Sequence, residues 1–286
     1  MKIIHERIDA VSRVLKSIGL EVLLKLEEED PQFTAVSRLA STLGKGPAMV
    51  YAILVSIVSY RLTMKGEEWW ECLVRHVLER EPKSEYSLKH IVSDVIEYLR
   101  RCPGSILQRE AKIKRVLKAY SSIEVRRLLQ GLLEDPEDLD LKLLTLTLSR
   151  GLNARADSKT VAFAAKMAYY VYRFDAPRRV KGGNIAIPVD SRVACFTYSS
   201  KLIETRSYKD IVARPKTAQM IWNTISSKTG IPTVNLDVLA WRLGWIPRDA
   251  ETLSRAREMI LEFLSPYIGA DKAHWVSSEL VVRLCK

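Results

Sequence analysis

Apolar side chains recur along this chain every three to four residues, the spacing that lines them up on one face of an α-helix. Ile8, Val11, Leu15 and Ile18 form one such stripe, closed by Gly19. Val92, Val95, Ile96 and Leu99 form a second, closed before Pro103. Leu139, Leu143, Leu144 and Leu148 form a third. Leu253, Ala256, Ile260 and Leu264 form a fourth, which the pattern stops at Pro266. The periodicity predicts about ten or more helices joined by short turns and no substantial sheet. No repeat of about 20–50 residues marks a helical solenoid. The fold class expected is all-α.

Composition sharpens this picture. Glycine contributes 12 of 286 residues, well below the ~7% average, so sharp backbone reversals are scarce. Apolar residues make up 47% and charged residues 28%, the balance of a folded domain, which excludes long disorder and fibrous repeats. The length suits one large domain or two small ones. Lys and Arg number 45 against 34 Asp and Glu, a net charge of +11. An excess of that size points to a polyanionic partner, with nucleic acid first. A basic proteome or a hot habitat would also produce it.

Cys72, Cys102, Cys195 and Cys285 form no C-x-x-C pair, and His5, His76, His90 and His274 are scattered. No zinc or other metal site is expected, and the cysteines are expected as buried thiols. The first residues carry charge and no signal-peptide core. The longest apolar stretch, residues 48–60, is too short to span a bilayer. A soluble cytoplasmic protein without membrane contact is expected.

The chemistry concentrates in two places. Lys159 opens a helix with a small, apolar body, and Phe163 and Lys166 follow on the same face at +4 and +7. One face thus offers an amine, an aromatic plate and a second cation. Desolvation or a neighbouring cation would free the amine for nucleophilic attack. Two snorkelling lysines and a core Phe would give the same pattern. The second place is Ile187-Pro188-Val189-Asp190-Ser191-Arg192, which delivers Asp190 to a helix start as an N-cap. Between them runs a basic loop, residues 173–184, including Arg178 and Arg179, suited to a DNA backbone or simply to solvent.

A Lys at the head of a small-residue helix, followed by a Pro-Val-Asp cap, resembles the helix-hairpin-helix glycosylase superfamily of DNA repair enzymes. Here the two residues are 190 − 159 = 31 apart. The hairpin before Lys159 carries one glycine, Gly151, where the superfamily's is glycine-rich. Both features are similar to the archaeal GO glycosylase family (AGOG), 8-oxoguanine DNA glycosylase/lyases. Asp30-Pro31-Gln32-Phe33, Lys65-Gly66-Glu67-Glu68-Trp69-Trp70 and Asn235-Leu236-Asp237-Val238-Leu239-Ala240-Trp241 carry the same resemblance.

The resemblance implies that Lys159 is the amine nucleophile and Asp190 its carboxylate partner. It implies that Phe163 and Trp241 sandwich an everted base. Gln32, Lys166 and Asp237 would reach its polar edges, Pro188 would line the pocket and Trp70 would close it. Trp69 is the rival for that last role, because adjacent helical residues point about 100° apart. No metal or organic cofactor is implied. The partner would be DNA containing 8-oxoguanine, duplex or single-stranded, bound by a monomer. The implied architecture is two helical subdomains with an active-site cleft between them: residues 1–65 with 205–286, and residues 66–204 with the hairpin motif near 145–190. Lys159 and Asp190 would line the cleft, with Gln32, Asp237 and Trp241 on the opposite side. The alternatives are a non-catalytic helical DNA-binding module, a glycosylase of the same superfamily for another damaged base, and a helical RNA-binding or adaptor domain.

Overall fold

A computed structural model describes residues 1–79, 86–177 and 179–286, so Arg178 of the basic loop lies outside the described residues. Among these residues the secondary structure is almost entirely helical. The one sheet among them is a two-residue antiparallel pairing, with Lys2 opposite Glu204 and Ile3 opposite Ile203. The chain divides into two compact units, Met1–Glu27 with Ala186–Lys286, and Glu28–Ile185.

The continuous unit is organised around the helix Lys45–Ser56, whose residues from Ala48 onward are all buried. A helix apolar all round has no solvent face to offer and sits inside its neighbours. It packs against Lys159–Tyr172, Pro31–Leu43 and Ile123–Glu134. Gly46 makes the last approach possible, since a Cβ there would lie 2.2 Å from the Leu133 carbonyl oxygen. These contacts draw residues 28–65 into the same unit as Lys159, where the sequence had placed the division at residue 65. Likewise Ser191–Ser199 packs against Tyr208–Ala213 and Thr233–Leu243, which carries residues 186–204 into the unit built from both chain ends.

That second unit buries the first stripe as predicted: Ile8, Val11, Leu15 and Ile18 enter its core with Trp222, Leu239 and Val276. The helix His5–Ile18 ends at Gly19, whose φ of 83° suits a residue without Cβ. The fourth stripe is corrected at its end. Leu253–Ile268 runs through Pro266 and stops at Gly269, φ 78°. The third stripe is corrected too: Leu139 precedes the helix Leu141–Leu152, and Leu143 faces out.

Cys195 and Cys285 form a disulfide across 90 residues, with Cα atoms 5.5 Å apart, inside the usual range of about 4.4–6.8 Å. This overturns the expectation of four thiols. The spacing holds no clue to the pairing, because tertiary folding alone brings Ser191–Ser199 to the far end of the sequence. No helix among the described residues is long and apolar enough to cross a membrane. No group of three His, Cys, Asp or Glu among them could hold a metal ion.

Candidate active site

In the continuous unit the site is built on the hairpin and helix around Lys159. Leu141–Leu152 ends with Asn153 in the left-handed region, φ 50°. The Asn153 N–H donates to Arg150 O at 3.1 Å and the Ala154 N–H to Ser149 O at 2.8 Å, the paired bonds of a Schellman cap. Asparagine thus takes the conformation usually left to glycine, which accounts for a hairpin with so few glycines. Arg155 pairs with Asp157 across the turn at 2.8 Å. Ser158 then takes the N-cap position of Lys159–Tyr172, without a side-chain bond to the backbone there.

Along that helix the predicted face runs from solvent to interior. Lys159 is exposed, Phe163 half-buried and Lys166 buried. The Lys166 Nζ lies 5.1 Å from the centre of the Tyr170 ring. Arg115 secures the first turn, donating to Thr160 Oγ1 at 3.2 Å and to Ile57 O at 2.9 Å.

The two adjacent tryptophans have different surroundings. Trp70 is buried with its ring 6.2 Å from that of Phe163, inclined at 62°. Trp69 points elsewhere: its indole N–H donates to Ser59 Oγ at 2.9 Å, and its ring lies 4.8 Å from Tyr98. Gln32 is buried near the start of Trp70's helix, its Nε2 3.8 Å from where a Cβ on Gly66 would stand.

Sequence reasoning missed what holds Gln32. Asp30 caps its helix, accepting the Gln32 backbone N–H at 2.9 Å, and also accepts the Tyr170 hydroxyl at 3.0 Å. Phe33 meets the Tyr170 ring edge-on at 5.3 Å, and the Arg173 guanidinium lies 5.0 Å above Phe33. Buried Arg173 also pairs with Glu28 at 2.9 Å. Tyr170 and Arg173 continue the helix of Lys159, and nothing local in the sequence links them to residues some 140 positions earlier.

The other unit holds Pro188, Asp190, Asp237 and Trp241. Asp190 caps Ser191–Ser199, its Oδ1 accepting the N–H groups of Arg192 at 2.9 Å and Val193 at 3.0 Å. Pro188 is buried two residues before it. Arg192, missed in the sequence, stacks its guanidinium 4.0 Å from the centre of the Trp241 ring. Asp237 is buried one turn earlier on the same helix, Thr233–Leu243. Gly244 ends that helix hard against the Arg192 carbonyl, where a Cβ would come within 2.2 Å. Asp190, Arg192 and the Asp237/Trp241 helix face are thereby fixed within one unit, while Gln32 shares the other with Lys159, contrary to the sequence grouping.

The described residues thus give an almost wholly helical fold, with a Schellman-capped hairpin leading into Lys159 and an Asp-capped helix after a buried proline. The model of the AGOG family, described as N-glycosylase/DNA lyase, matches residues 12–274, and the chain belongs to that family. An N-glycosylase/DNA lyase of Aeropyrum pernix is 38% identical over 98% of this chain and 96% of its own length. One of Pyrobaculum aerophilum is 33% identical over 84% of this chain and 87% of its own. Among solved structures, that of the Pyrobaculum aerophilum 8-oxoguanine DNA glycosylase Pa-AGOG, complexed with 8-oxoguanosine, superposes with a TM-score of 0.73 at 30% identity, covering 95% of this chain and 97% of that one. The activity is accordingly that of a DNA glycosylase/lyase.

Proposed function

We propose that this enzyme excises 8-oxoguanine from DNA by flipping the lesion out of the stack and attacking its sugar with Lys159. The observation that carries the substrate is the likeness, over almost the whole chain, to a structure holding 8-oxoguanosine. The grouping of Trp70 and Phe163 beside the helix of Lys159 supports a pocket for a planar base.

In this reading, Lys and Arg side chains hold the phosphate backbone largely without sequence preference. An everted base loses its stacking, and the plates Phe163 and Trp241 compensate. Gln32, Lys166 and Asp237 read polar edges of the base, with Pro188 and Trp70 shaping the wall. Oxidation gives guanine an N7–H donor and a C8 carbonyl, so discrimination needs an acceptor at N7–H, which the Gln32 amide or a backbone carbonyl supplies. The Lys159 amine attacks C1′ as the base leaves, and the Asp190 carboxylate stabilises the positive charge developing on the sugar. The resulting Schiff base permits β-elimination, which nicks the strand. This chemistry calls for no metal or organic cofactor. The partner is DNA, duplex or single-stranded, and the working form is a cytoplasmic monomer.

Borohydride trapping on a duplex with one 8-oxoguanine tests this. Wild type should give a covalent adduct on lesion DNA only, and Lys159→Gln none while still binding DNA. An adduct from the variant would remove Lys159 from the mechanism. An adduct with another lesion but not with 8-oxoguanine would overturn the substrate.

A further inference from the structure

Arg192 touches two of the residues assigned above to base excision, and it touches them with different atoms. Its backbone N–H is one of the pair that Asp190 Oδ1 accepts, at 2.9 Å. Its guanidinium stands 4.0 Å from the centre of the Trp241 ring. Its carbonyl lies against Gly244, where a Cβ would come within 2.2 Å of the oxygen. The start of Ser191–Ser199 is thus pressed against the end of Thr233–Leu243, with the arginine side chain laid on the ring.

Trp241 is half-buried and packs against the core of its unit. Its ring has two faces, and the one under the guanidinium cannot also take a base. A planar guanidinium stacked on an aromatic ring holds it by cation–π and stacking contact together. The charge of Arg192 is partly answered within the protein. Asp249, at the end of Ile246–Asp249, accepts from Arg248 Nε at 2.7 Å. Its carboxyl is held below the usual carboxylate range first by that bond and then, against the cost of burial, by the charges of Arg248 and Arg192. An arginine stacked on a ring, with a carboxylate answering its charge, gains less from a phosphate than one in open solvent does.

We infer that Arg192 is a positioning residue for lesion recognition: its guanidinium backs the Trp241 ring and holds it in the orientation in which the oxidised base stacks on the opposite face. This rests on the reading of Trp241 as a base plate given under Proposed function. A plate already fixed in the free enzyme need not be ordered when the base arrives. The hold of Arg192 on Asp190 runs through its backbone N–H and survives any change of side chain except to proline. The two contacts are therefore separable. Replacing the side chain loosens the plate and leaves the Asp190 carboxylate bonded as before. The effect falls on affinity for the lesion and not on the rate once the base is seated.

The test is Arg192→Met in the full chain, which keeps the apolar stem and loses the planar cation. Arg192→Leu is made beside it, so that a folding failure in one leaves the other to decide. Anisotropy is read on a duplex with one 8-oxoguanine and on its undamaged match, in a Lys159→Gln background so that the lesion persists. Lesion affinity should fall by roughly two- to twelvefold, the scale of ordering one large side chain on binding, with the undamaged duplex unaffected. With Lys159 intact, single-turnover base release at saturating enzyme should keep its wild-type rate, and the enzyme concentration giving half that rate should rise by the same factor. In a Trp241→Leu background Arg192→Met should have no further effect. Equal losses on both duplexes with a shallower salt dependence would make Arg192 a phosphate contact and overturn the inference. Tighter lesion binding would overturn it too, because the guanidinium would then be covering the seat of the base. So would a lowered saturating rate with affinity intact, which would put the effect on Asp190. Lesion affinity lost in Trp241→Leu but kept in Arg192→Met would overturn this inference alone, whereas affinity kept in Trp241→Leu would overturn the base plate with it.

Discussion

The rings of Trp70 and Phe163 meet at 6.2 Å and 62°, across two helices whose sequences are more than ninety residues apart. Phe163 is only half-buried, so one flank of this pair stays open to a ligand. Trp70, buried at 1% exposure, is the fixed partner against which Phe163 is set.

Phe163→Ala removes that plate while leaving Trp70 in place. Stacking of a base on an aromatic ring contributes about 1–3 kcal/mol, so affinity for lesion DNA should fall by roughly five- to 150-fold. Affinity for undamaged duplex should hold. Fluorescence anisotropy on matched duplexes reads both, and equal losses on the two would make Phe163 a packing residue only.

Asp190 has two duties that substitution can separate. Asparagine caps a helix about as well as aspartate, so Asp190→Asn should melt close to wild type. Its rate of base release should fall by about a hundredfold or more, the scale on which a lost charge-stabilising group is felt. Asp190→Ala should add about 1 kcal/mol of destabilisation from the lost cap. Single-turnover kinetics beside thermal melts distinguish the variants, and full activity in Asp190→Asn would leave the residue a cap and nothing else.

Tyr170→Phe deletes the hydroxyl that Asp30 accepts at 3.0 Å. Removing a buried donor costs about 1–3 kcal/mol. The loosened Asp30 also holds the turn of Gln32, so KM for lesion DNA should rise more than kcat falls. If Tyr170 only stabilised the fold, activity per folded molecule at moderate temperature would match wild type in both constants.

Reducing the Cys195–Cys285 bond releases a constraint across 90 residues. A bridge of this kind typically contributes about 2–4 kcal/mol. Melting should shift down on adding reductant and equally in Cys195→Ser, where reductant should then do nothing. Calorimetry with and without reductant checks this, and equal melting temperatures would show that the bond is absent in solution.

Helical period was enough to find the buried stripe of Ile8 to Ile18 and to place Phe163 and Lys166 on the face of Lys159. It could not separate Trp69 from Trp70, because neighbouring residues on a buried helix are equally apolar and only tertiary partners tell them apart. Ser59 and Tyr98 claim one; Phe163 meets the other. Pro266 reads as a stop, yet its helix runs two residues beyond it to Ile268, since a proline so near the end removes one hydrogen bond and leaves little helix after it to kink. Asn153 was unreadable for the opposite reason: the left-handed residue is legible when it is glycine and silent when it is asparagine. Tyr170, Arg173, Arg192 and the disulfide all depend on partners distant in sequence. The unit boundaries were misplaced because packing, rather than any linker composition, decides them.

The discontinuous unit has a consequence for the order in which the protein is made. Its first 27 residues leave the ribosome early, while their partners begin only at Ala186. At ~5–20 residues per second, the apolar face of Ile8, Val11, Leu15 and Ile18 waits on the order of ten to fifty seconds for its complement. The Glu28–Ile185 unit is complete well before that. It can fold first, while the nascent leading helix depends on its own charges, and on chaperones, to stay out of trouble.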